Sequence, residues 1–169
     1  MTEGQGSGVK GRGYQRLIAW QRAHDLALMV YRATRGLPRE DSWLRNQANR
    51  SSISVAANIA EGYSRGTLKE YIRFLDIARG SLAETEYHLL FMHDAGFLEA
   101  DEFHEVDQLV SEAGSVLFGL IRSLRAKEQA GGREPRRIGD EHAEYLTSST
   151  DKLSDLEPLP TTPDPTEAT

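Results

Sequence analysis

The fold turns on Gln47–Glu70, "QANRSSISVAANIAEGYSRGTLKE". Small residues fill its middle, where Ser51, Ser52, Ser54, Ala56, Ala57 and Ala60 carry little side-chain bulk. Asn58 and Glu61 sit among them, and Gly62 follows at once. At the helical period Ile53, Ala57 and Glu61 share one ridge, and Ser54 and Asn58 share the next. Small side chains let a second helix approach closely, so the stretch reads as a tight helix–helix contact. An amide at such a contact must find hydrogen-bond partners, and one such residue can fix register and association state. Glu61, near the helix C-terminus, opposes the dipole and calls for a cation. Arg65 or an arginine of the preceding helix can supply it. Gly62 reads as the stop.

Outward from this stretch the helical period continues. "TLKE" (Thr67 to Glu70) is a capping box that opens a third helix. Its apolar positions Leu68, Tyr71, Ile72, Leu75, Ala78, Leu82, Leu89 and Met92 recur at three- and four-residue steps until Gly96. The second helix starts at Asp41 or Ser42. Before it, a first helix spans about Arg16 to Arg35, with Leu17, Trp20, His24, Ala27, Leu28 and Tyr31 along one side. Gly36-Leu37-Pro38 ends it. A fourth helix starts near Asp101 and runs to about Lys127, with Phe103, Val106, Val110, Ala113, Leu117, Leu120 and Leu124 as its stripe. Short connections make neighbours antiparallel. The expected fold is all-α, an up-down-up-down four-helix bundle over residues 14–128.

The ends read differently. Residues 1–13 are glycine-rich, and residues 129–169 hold five of the six prolines with few large apolar residues. Such segments bury too little surface to offset ordering entropy, so disordered tails are expected, with Glu141 to Leu146 the one stretch suited to a short helix. The 38% hydrophobic share agrees. The chain has no cysteine, which excludes disulfides, thiolate metal sites and cysteine nucleophiles. No apolar run reaches membrane-spanning length and no secretion signal is visible, so a cytoplasmic protein without a membrane partner is expected.

Charge is uneven. Residues 1–73 carry twelve Lys and Arg against six Asp and Glu, and residues 74–169 carry eight against twenty. Arg45, Arg50, Arg65, Lys69 and Arg73 are expected around the junction of the second and third helices, where they could neutralise phosphates while Tyr63 and Tyr71 stack on bases. Charge runs more often mark solvated faces or subunit salt bridges, and the acidic whole, with a pI near 5.4, argues against strong nonspecific binding.

Other chemistry finds less support. No nucleophile, base and orienting group can be assembled around Glu61, so no catalytic residue is assigned. Di-iron bundles need Glu-x-x-His on two helices, which is absent. Glu84 and His88 are four residues apart, with only His24 and His104 to complete a metal set, and isolated histidines on bundle faces are usually structural. The glycines from Gly4 to Gly13 lack the Lys-Ser/Thr ending of a phosphate loop. No metal or cofactor is expected.

Gln47, Arg50 and "NIAEG" (Asn58 to Gly62) resemble the signature of proteins encoded within intervening sequences of bacterial 23S ribosomal RNA genes. The resemblance continues in "SRGTLKEYIRFLDIARGSLAE" (Ser64 to Glu84), with its capped "KE", "FL-IA" core and "GS---E" turn. Upstream, Leu17, Trp20, Tyr31, Thr34 and Leu37–Pro38 also fit, so it covers about Arg16 to Leu124. It departs at Asn49, where the family commonly pairs an arginine with Arg50, and at Ala56, where a proline is frequent. The resemblance implies a four-helix bundle. Through likeness to the accessory protein of diversity-generating retroelements, it further implies a homo-oligomer, most simply a pentamer, and a reverse-transcriptase-like, RNA or DNA partner. The expected role is a non-enzymatic adaptor or accessory protein. A protein-binding module without nucleic-acid contact is the alternative.

Overall fold

The computed structural model describes residues 13–130. Its α-helices are α1 (Ile18–Ala33), α2 (Ser42–Tyr63), α3 (Leu68–Asp94) and α4 (Ala100–Gln129), with 3-10 turns at Gly13–Arg16 and Thr34–Gly36. No strand occurs among the described residues. Each helix packs on its sequence neighbour and α1 closes on α4, which makes an antiparallel four-helix bundle. The expectations for 1–12 and 131–169, including the short helix near Glu141, lie outside the described residues. At 1.5 Å per residue the 27-residue α3 is about 40 Å long.

The stripes of α3 and α4 face the core as the period requires. Tyr71, Leu75, Leu89 and Met92 of α3 and Val106, Leu117 and Leu124 of α4 are almost fully buried. The first helix differs. Leu17 and Ala27 are buried, but Leu28, Tyr31 and His24 are exposed, and Ala19, Ala23, Leu26 and Val30 point inward instead. The buried stripe lies about one residue position around the helix from the expected one. It is free of polar groups, whereas the stripe it displaces contains His24. Trp20 stacks on His24 with ring centroids 4.8 Å apart and meets Tyr14 edge-on.

Helix ends correct two further expectations. Gly62 does not stop α2; the helix continues to Tyr63. A Cβ on Gly62 would lie 2.8 Å from Phe74 Cβ and 2.9 Å from Tyr71 Cδ2, so this glycine permits close approach of α3. At Thr67 one arm of the capping box forms, with Thr67 Oγ1 accepting from the Glu70 amide at 3.2 Å. The Glu70 carboxylate turns to Arg73 instead. The reciprocal box is at α4, built by Glu99 and Glu102, slightly ahead of the expected start at Asp101. Gly96, at φ 78°, occupies the left-handed position after α3, and the Phe97 amide donates to Met92 O at 2.8 Å.

Candidate nucleic-acid interface

The opening stretch forms the α2 side of a polar seam against α3. Thr85 Oγ1, fully buried, lies 3.0 Å from Ser51 Oγ and donates to Ser81 O at 2.8 Å. Ser81 Oγ donates to Ser54 Oγ at 3.0 Å, and Asn58 Nδ2 donates to Ser54 O and Ser54 Oγ. Asn58 thus finds its partners within its own helix, and small hydroxyls bridge the two. A hydroxyl can bond across the gap that its small size creates, which an alanine cannot. The ridge of Ile53, Ala57 and Glu61 points outward, so it is not the intramolecular contact.

His88 Nδ1 lies 3.2 Å from Ser51 Oγ at the edge of this seam. With Glu84 one turn away, the trio has the residue types of a hydrolytic triad. Ser51 is 2% exposed, however, so its hydroxyl offers no approach to a substrate carbonyl. Burial holds the His88 pKa below its ordinary value of 6.5, opposed by the Glu84 carboxylate and reinforced by Arg50. The folded chain therefore binds fewer protons at His88 than the unfolded chain does. Stability from this source is present above pH 6.5 and is lost as pH falls toward the lower folded value. The melting temperature should fall between pH 7.5 and pH 5.5, and the fall should shrink in the His88→Gln variant. An equal fall in both proteins would assign the effect to other groups.

The five basic candidates do not form one cluster. Arg45, near the start of α2, donates through Nη2 to the carbonyls of Leu37 and Pro38 and so pins the α1–α2 connection. It lies 20 residues before Arg65, about 30 Å along a helix. Arg50, mid-helix, donates to Gln47 Oε1 at 3.2 Å. Asn49 turns to the 3-10 turn that follows α1, donating to Thr34 Oγ1 at 2.9 Å.

Arg65, Lys69 and Arg73 do share the α2–α3 end. Two guanidiniums lie over the Phe74 ring, Arg65 at 4.6 Å and Arg73 at 4.7 Å from its centroid. Each arginine also has a carboxylate: Glu61 pairs with Arg65, as the helix-end argument expects, and Glu70 pairs with Arg73 at 3.3 Å. Lys69 is exposed. Tyr71 cannot stack on a base, because it is fully buried. Burial, with Tyr63 beside it, pushes its hydroxyl pKa up.

The antiparallel fold adds cations that the linear sequence separates from this corner. Arg125 of α4 binds both oxygens of Asp76 of α3, at 2.9 Å and 2.8 Å, which fixes the end of α4 beside the start of α3. Exposed Arg122 and Lys127 therefore lie at the same end as Lys69. The opposite end gathers Asp94, Glu99, Asp101 and Glu102. Arg35 and Arg39 of the α1–α2 connection and Arg45 near the start of α2 share that opposite end, so it is of mixed sign. The signal for the added cations was the basic run from Arg122 to Lys127, which gains meaning only once the topology is known.

A family model described as 23S rRNA-intervening sequence protein matches residues 15–119, nearly the whole bundle. The chain belongs to the 23S rRNA-intervening sequence protein family. A solved structure from Bacteroides thetaiotaomicron, described as a protein of unknown function from the S23 ribosomal protein family, is similar in fold. It is 21% identical, with a TM-score of 0.58, over 62% of this chain and 99% of the other. No curated protein matches the chain. Among the described residues no helix is long and apolar enough to cross a membrane, and no three His, Asp or Glu side chains converge as metal ligands would.

Proposed function

We propose that this member of the 23S rRNA-intervening sequence family is a non-enzymatic, self-assembling accessory protein that touches RNA or DNA through its basic end. The supporting observation is the apolar surface it leaves open. Trp43 is 55% exposed, Tyr87 62% and Phe91 39%. The three rings associate with one another in the open, Trp43 with Phe91 at 6.1 Å and Phe91 with Tyr87 at 6.5 Å. Clustered aromatic surface of this kind marks an interaction site. A second copy of the bundle is the proposed occupant. A pentameric ring and a reverse-transcriptase-like partner are the finer form of this reading and rest on family resemblance.

Lys69 and Arg122 have no carboxylate partner among the described residues, so both are free to meet phosphates. A ring would bring several such ends together and strengthen a modest field. Affinity for a single-stranded RNA should fall steeply with salt. Lys69→Gln with Arg122→Gln should flatten the log–log slope by about 1.4, at ~0.7 per phosphate contact. Absence of binding at low salt, with the oligomer intact, would remove nucleic acid from the account. The pairing of Arg65 with Glu61 and of Arg73 with Glu70 favours that second reading, a module that binds only protein.

A further inference from the structure

The last helix of the bundle ends beside a group of cations. α4 terminates at Gln129, beside the end that carries Lys69, Arg122, Arg125 and Lys127. The chain beyond it changes sign abruptly. After the arginines at 133, 136 and 137, residues 138–169 contain eight Asp and Glu against one lysine, Lys152. Asp140 lies ten residues past Ala130. Ten residues reach at most about 35 Å when fully extended, enough to return to the end of a bundle from which they emerge.

We propose that the acidic segment Asp140–Glu157 seats on the basic end of its own bundle and occupies the place of nucleic-acid phosphates. The proposal rests on that end being an anion-binding surface. A tethered anion acts at millimolar effective concentration, so even weak pairing competes. With an intrinsic dissociation constant near 0.1 mM, the segment would weaken phosphate binding on the order of tenfold. Exposed charges separated by more than a Debye length are screened, so the contact should open as salt rises from 0.05 M to 1 M.

The test uses the full-length protein. A zero-length carbodiimide reaction joins a lysine to a carboxylate only in direct contact, and mass spectrometry maps the products. Links from Lys69 or Lys127 to acidic residues between 140 and 157 are expected at low salt and should vanish at 1 M. Mixing isotopically labelled and unlabelled chains separates links within a chain from links between chains. In parallel, the variant Asp140→Asn, Glu141→Gln, Glu144→Gln, Asp151→Asn, Asp155→Asn, Glu157→Gln should bind a 20-nucleotide oligouridylate about tenfold more tightly than the parent. Links together with tighter binding support the proposal. Links without RNA binding by either protein support the seat and overturn the nucleic-acid reading. Tighter binding without links reports overall charge alone and overturns the seat, as do unchanged affinity without links and links found only between chains.

Discussion

Gly62→Val should destabilise the bundle by about 2–3 kcal/mol, the upper range for overpacking a close contact. Gly62 is buried where α2 passes over α3. Its missing Cβ would lie 2.8 Å from Phe74 Cβ and 2.9 Å from Tyr71 Cδ2. Neither neighbour yields easily. Tyr71 is fully buried, and Phe74 is buried with Arg65 and Arg73 over its ring. Valine adds a second clash, because its branched Cβ directs more atoms into the same gap. Urea unfolding followed by circular dichroism measures the loss. A change under about 0.5 kcal/mol, the usual range for an innocuous surface substitution, would mean that the helices are not in close approach there.

Leu75→Ala should cost more, about 2–5 kcal/mol. Leu75 has no exposed surface and belongs to the cluster that includes Tyr71, Leu117 and Leu124. Truncation removes buried methyl groups and leaves a cavity that long, close-packed helices cannot collapse without losing contacts elsewhere. The contrasting substitution is Ile77→Ala on the same helix. Ile77 is 41% exposed, so within a single bundle its truncation should cost far less. Similar losses for the two would place Ile77 in an interface between copies and would misstate the core.

The bundle is legible because α3 and α4 each carry an apolar stripe at the helical period, interrupted in α3 by Ser81 and Thr85. Position 71 through position 92 of α3 and position 106 through position 124 of α4 face inward as the period predicts. The first helix is ambiguous in the sequence because it carries two apolar stripes. Choosing between them requires knowing that the alanine-rich side, with Ala19 and Ala23, meets its neighbours. Small size at Ser51, Ser54 and Ser81 was visible in the sequence, but their pairing across helices was not, since it depends on the register of α2 against α3. Site residues were harder still. Arg45 looks like a phosphate ligand in the sequence, yet its guanidinium serves backbone carbonyls of a connection that only the fold brings near. Arg122 and Lys127 join this corner only through the fold, because more than 45 residues separate them from Arg73.

In the proposed function the surface of Trp43, Tyr87 and Phe91 is covered by another copy of the chain. Multi-angle light scattering on the purified protein at micromolar concentration tests it most directly. The expected mass is two or more times 18.9 kDa, reduced to 18.9 kDa by Trp43→Ser with Phe91→Ser while the helical signal is retained. A parent protein that remains at 18.9 kDa across that concentration range would contradict it.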